Sequence, residues 1–159
     1  MSNGRYSMSF TTGSLFHHES VTLAALYLDF LVEGSHQEQA YLLWIAVCRR
    51  YRFISDFAVE LLRERYISLK TDLTHEDFDA FFNRNSEWHS ELDEISPATR
   101  SKLRQILFRI LRETDLLTAN NIINAAMISQ RLLDVISQDS PRNVLCFPVF
   151  ESDLKGMVQ

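Results

Sequence analysis

Apolar residues recur at helical spacing along most of the chain, and short polar clusters break the runs. Glu19 to Glu33 is apolar along one side and stops at Gly34, which predicts a first helix. Ser35 opens a second, with Glu38 three residues on completing a capping-box pattern, and this helix extends to about Phe53. Its body from Ala40 to Val47 carries no charge, so most of its circumference needs a protein cover. Ser55 is placed to cap a third helix running through Phe57, Val59, Leu61, Leu62, Tyr66 and Ile67 to about Leu69, with Glu60, Arg63, Glu64 and Arg65 on its remaining face. Thr74 with Asp77 caps a fourth, and its Phe78, Phe81 and Phe82, together with Trp88, read as core. Trp88, Leu92 and Ile95 bridge an acidic connection. Ser96-Pro97 is a strong start for a fifth helix reaching about Glu113, with Leu103, Ile106, Leu107, Ile110 and Leu111 as its buried face.

Beyond Asp115 the pattern changes. Leu116 to Ile123 reads as loop or short strand, and Ser129 to Ile136 as a short helix with Leu132, Leu133 and Ile136 inside. Val144 to Phe150 is the best strand candidate, restricted to an edge by Pro148. Helix, short strand, helix and final strand in that order resemble the layout of a winged helix. Arg5 to Thr12 alternates loosely and reads as a short strand or extended arm. The expected fold is mainly α, with a small β element in the C-terminal third. An N-terminal helical region, 1–95, and a C-terminal region, 96–159, are expected to pack as one unit.

Composition narrows the function classes. With 159 residues, four glycines and three prolines, a turn-rich sandwich or a disordered linker is disfavoured. Cys48 and Cys146 lie far apart in apolar settings and read as buried free thiols of a reducing cytoplasm. No run is apolar and long enough to span a membrane, and the first thirteen residues lack a signal-peptide core. A cytoplasmic location follows. The net charge of −5 is unevenly spread: residues 71–95 carry a balance of −7, which leaves +2 elsewhere. Local field, not net charge, decides where a polyanion docks.

Catalytic motifs are absent. There is no glycine-rich phosphate loop, HExxH or GxSxG. His89-Ser90-Glu91 lacks the PCxxC partner of a deaminase. His17-His18 are neighbours that share no helix face, so a metal would need ligands from elsewhere. The acidic residues lack calcium-loop spacing and read as a solvated or DNA-repelling surface. No enzyme, metal, cofactor or small-molecule substrate is expected. The basic clusters remain: Arg49, Arg50 and Arg52 close the second helix, Arg63 and Arg65 sit on the third, and Arg100, Lys102, Arg104, Arg109 and Arg112 line the fifth, with Arg131 on the sixth. Cations favour helix C-termini and exposed ion pairs with, for instance, Glu60 and Glu64, and such pairs contribute little. If several arginines stay free and converge, they form a phosphate-tracking surface.

The order of blocks is distinctive: Tyr6 to Gly13, Glu33-Gly34-Ser35 followed by Glu38 to Trp44, Cys48 to Tyr51, Leu61 to Arg65, Phe78-Asp79 before Phe81-Phe82-Asn83, Glu87-Trp88-His89, Thr99 to Gln105, and Phe147 to Phe150. Together they resemble the BrxA family, the small helical component of BREX bacteriophage-exclusion systems. The resemblance covers nearly the whole chain. It implies a cytoplasmic, non-enzymatic defence protein with a partly NusB-like helical bundle, acting with other BREX proteins and binding double-stranded DNA. The basic residues inside matching blocks are Arg49, Arg50, Arg63, Arg65, Arg100, Lys102 and Arg104. One departure is a junction at Leu28–Leu31 shorter than the family pattern, which carries a longer, partly basic segment there. The alternative is a protein–protein adaptor without nucleic acid. RNA binding, the third reading, rests on the NusB analogy, and fold analogy is a poor guide to ligand.

Overall fold

The computed structural model describes residues 17–155, with side chains from residue 24 onward. The arm expected over 5–12 and the His17-His18 side chains lie outside what is described. Helix α1 (His17–Glu33) runs unbroken through the Leu28–Leu31 junction and buries Phe30. It stops at Gly34, where a Cβ would collide with the Phe30 carbonyl oxygen. The glycine is needed for close approach, not for a left-handed turn, because no described glycine has positive φ.

Helix α2 (His36–Arg50) carries the expected capping box, with the Ser35 amide donating to Glu38 at 2.9 Å and the Glu38 amide to the Ser35 hydroxyl at 3.2 Å. It buries Tyr41, Leu42, Trp44, Ile45 and Cys48. The helix ends at Arg50 instead of reaching Phe53, because Tyr51 is extended (φ −123°, ψ 106°). Tyr51 and not Ser55 therefore precedes the next helix, α3 (52–67). This helix is composite: α-helical over Arg52–Phe57, π-helical over Ala58–Arg63 and α-helical again over Glu64–Ile67. The i→i+5 bonding of the π turn rotates the later side chains relative to an α-helical reading. Arg63 thus falls beside Leu62 in the buried face, not with Glu60 and Glu64 outside.

Helix α4 (His75–Ser86) has the predicted cap, with Thr74 and Asp77 bonded reciprocally at 2.8 and 3.2 Å. Its Phe78, Phe81 and Phe82 enclose Phe53, with ring centroids 5.5 to 5.9 Å apart. Trp88 was expected in this core and is instead 81% exposed, because the chain turns after Ser86. A short α5 (Ser90–Asp93) buries Leu92 and leads to α6 (Pro97–Glu113), capped by Ser96. Leu107, Phe108 and Leu111 are its buried residues, Leu103 and Ile110 are half-buried, and Ile106 is exposed, contrary to its expected place.

The C-terminal third is not a winged helix. Among the described residues there is no sheet, only isolated antiparallel bridges at Asp72–Ile122 and Leu117–Ile123. Helix α7 (Gln130–Asp139), capped by Ser129, buries Leu132, Leu133, Val135 and Ile136. The strand expected at Val144 to Phe150 is a 3-10 turn (Pro141–Cys146) followed by an extended segment and α8 (Glu151–Lys155). The β-branched and aromatic residues there have no neighbouring strand to pair with. They fill the bundle instead: Val144, Cys146, Phe147 and Val149 are buried. One core holds residues from both sides of position 95, and Trp44 ties them together by donating its indole N–H to the Cys146 carbonyl at 2.9 Å.

Helices α3 and α6 end in Schellman turns: Lys70 N–H bonds Arg65 C=O and Leu69 N–H bonds Tyr66 C=O, while Leu116 bonds Leu111 and Asp115 bonds Arg112. The left-handed position is Leu69 (φ 60°) in the first and Asp115 (φ 58°) in the second. An exposed leucine there is strained. Leu69→Gly is expected to stabilise the protein by about 1 kcal/mol in urea unfolding.

Glu38 also accepts a 2.6 Å hydrogen bond from Ser129. The Ser129 hydroxyl and the Ser35 amide hold its carboxyl below the ordinary value of 4.5. The resulting stability is present above that value and is lost as pH falls through the folded one. Glu38→Gln is expected to lessen the loss of stability as pH falls below 4.5, to be measured by unfolding both proteins in parallel across that range.

Candidate nucleic-acid interface

The basic residues singled out in the sequence go to different neighbours. Arg49 pairs with Asp139 at the end of α7. Tyr27 donates to the same carboxylate at 3.4 Å. Burial, with the Asp139 charge, pushes the Tyr27 phenol up to about 12. Arg50 lies over the Tyr51 ring, 5.8 Å from its centroid, and Arg52 is 3.7 Å from Asp56. Arg65 donates to the Asp72 carbonyl at 2.7 Å and to the carboxylates of Asp72 and Asp77 at 3.1 and 3.0 Å. Neither Arg63 nor Arg65 pairs with Glu60 or Glu64; Glu60 faces Arg84 at 3.9 Å.

Asp79 is the hub of the next group. Arg104 reaches its carboxylate at 2.6 Å, and Arg100 meets its carboxylate at 3.2 Å and its carbonyl at 2.9 Å. Arg100 also donates to Asn83 at 2.7 Å and lies over Phe82, 4.6 Å from the ring centroid. These contacts knit α6 to α4, beside a cleft of about 430 Å³. Nothing in the sequence pointed to the acid that Arg100 and Arg104 share, twenty-one residues upstream of Arg100. Three acids of the acidic segment, Asp72, Asp77 and Asp79, therefore neutralise arginines of α3 and α6. That segment is not only a solvated or DNA-repelling surface.

Lys102, Arg109 and Arg112 remain. Positions 102 and 109 are two turns apart on α6, and 112 is one turn further, so the three span about 15 Å along one exposed side. Lys102 makes no ion pair among the described residues. Arg109, 78% exposed, meets among the described residues only Glu113 of its own helix, at 2.9 Å. Arg112 bonds Asn121 at 2.6 Å and lies over Phe108. An i,i+4 pair at such exposure is weak, so the Arg109 head is available to another anion. Arg131 covers Phe30, 4.3 Å from its ring centroid.

Other chemistry is sparse. Among the described residues no group of three or more His, Cys, Asp or Glu is placed to hold a metal ion. Cys48 and Cys146 are both free and buried, and they are in contact across the core. Burial pushes the Cys48 thiol up, while its hydrogen bond to Cys146 pulls that thiol down. No described helix is long and apolar enough to cross a membrane.

The described residues form a helical bundle with one exposed basic side on α6. A model of the BrxA family matches residues 28–140. The chain belongs to the BrxA family and is therefore a component associated with BREX bacteriophage defence. No curated protein and no solved structure matches it.

Asp79→Asn is expected to lower stability by about 1–3 kcal/mol in urea unfolding, since two partly buried guanidinium groups lose their shared counter-charge.

Proposed function

We propose that this BREX component is a non-enzymatic, cytoplasmic protein that holds double-stranded DNA by its phosphate backbone, with other BREX proteins as partners. The observation that carries the reading is the alignment of Lys102, Arg109 and Arg112 on the exposed side of α6. A straight row of flexible and forked cations suits consecutive phosphates and carries no base-reading geometry. Arg65, Arg100 and Arg104 hold the fold instead, and their carboxylate partners keep them from a polyanion. Arg49, Arg50 and Arg52, at the α2–α3 junction, form a second and weaker contact zone. The NusB analogy has no part in this argument, because a fold hosts many ligands.

The test is a titration of duplexes of unrelated sequence at several salt concentrations. Affinity is expected to be independent of sequence and to fall with salt, with a log–log slope of about −3 if three phosphates are neutralised. Lys102→Gln with Arg109→Gln is expected to reduce that slope by about 2. An unchanged slope in the double variant removes α6 from the interface.

A second reading, an adaptor, is favoured by one observation. Leu28, Leu31 and Val32 of α1 are exposed, Val32 by 79%, and Leu31 and Leu43 of α2 flank a hollow of about 240 Å³. Such adjacent apolar side chains suit a protein partner. Salt-insensitive association with another BREX protein that is lost on Leu43→Asp, together with no duplex binding at low salt, would favour the adaptor.

A further inference from the structure

Arg63 is only 6% exposed, yet its guanidinium is poorly satisfied. Among the described residues its buried Nε and Nη2 have no hydrogen-bond partner, and its one ion pair is with Glu151, 3.9 Å from Nη2. The Glu151 side chain is itself mostly exposed. A guanidinium cannot shed its proton to escape burial. A buried cation with so weak a counter-ion is expensive to keep.

Beside it lies a cavity of about 620 Å³ between α3, α7, the 3-10 turn and α8. Its walls are mainly apolar, from Leu133, Pro141, Val144 and Leu154. The volume is that of a small-molecule or side-chain site, with one cationic group in its lining to orient the occupant. Asp134 and Glu151 also line it, so a polyanion such as DNA is repelled there. A single carboxylate matches one guanidinium in charge, and an apolar body matches the walls.

We propose that this cavity is a binding site for a monocarboxylate with an apolar body, in which the ligand's carboxylate takes over the place of Glu151 against Arg63. The acid is either a free small molecule or an acidic side chain within an apolar segment of a partner chain. The site is separate from α6 and does not depend on DNA binding.

The experiment follows methyl resonances of Leu133, Val144 and Leu154 in the whole protein during titration with three probes: sodium octanoate, octanol as its uncharged control, and a blocked tetrapeptide of leucines with one glutamate. Octanoate is expected to bind with Kd on the order of a millimolar or tighter, and octanol much more weakly. Glu151→Gln removes the competing carboxylate from an exposed position and is expected to tighten binding about threefold. Arg63→Gln is expected to weaken it about tenfold or more. Octanoate binding assigns a small-acid site, and peptide binding without octanoate binding assigns the carboxylate to a partner chain. No binding of either acid at millimolar concentration overturns the proposal. So does octanol binding as well as octanoate with Glu151→Gln making no difference, and this arm decides even if Arg63→Gln fails to fold.

Discussion

The burial of α2 is the constraint around which the bundle is arranged. Trp44 is fully enclosed, and its indole N–H would be an orphan donor without the Cys146 carbonyl 2.9 Å away. That bond requires the segment after α7 to pass directly over α2. A strand would direct its carbonyls sideways to a neighbour strand; the 3-10 turn delivers one inward. Tyr41 completes the same seam by packing edge-on to Phe147, 5.2 Å between centroids, and by accepting the Met127 amide at 3.0 Å. The uncharged body of α2 is thus the sheath that the C-terminal third wraps.

Charge is organised on a second principle. The acidic segment and the arginines are complementary halves of one electrostatic framework, joined at Asp72, Asp77 and Asp79. Arginines in such a framework are held rigid and screened from other anions. The basic residues that the framework does not use stand where helix phase puts them. Lys102 falls outward because Arg100 and Arg104 fall toward α4.

Local signals in the sequence survived folding well. The expected caps at Ser35, Thr74 and Ser96 form, because a cap depends on three or four consecutive residues, whereas the one expected at Ser55 does not, because the break after α2 falls at Tyr51. Signals that depend on tertiary context did not. Val144 to Phe150 has strand composition, but strand propensity is realised only beside another strand. Arg63 looked exposed because periodicity assumes a constant turn, and the π turn at Ala58–Arg63 breaks that assumption. Trp88 looked buried because it follows three core phenylalanines at helical spacing, yet the helix has ended by then. Of the candidate interface, the α6 row was legible from spacing alone. The loss of Arg65, Arg100 and Arg104 to acids of α4 and its approach was not, since ion-pair partners far apart in sequence leave no periodic trace.

The double role of Glu38 bears on how the chain folds. One carboxylate closes the N-terminal turn of α2 and, through Ser129, that of α7, ninety-one positions away. Each helix start has its own local cap, and the Glu38–Ser129 bond adds a coupling between them that only the closed long loop supplies. A nascent chain that has emerged only as far as α6 still lacks the partner that completes its second helix. The contact that links the two helix starts therefore waits on the segment that holds Ser129.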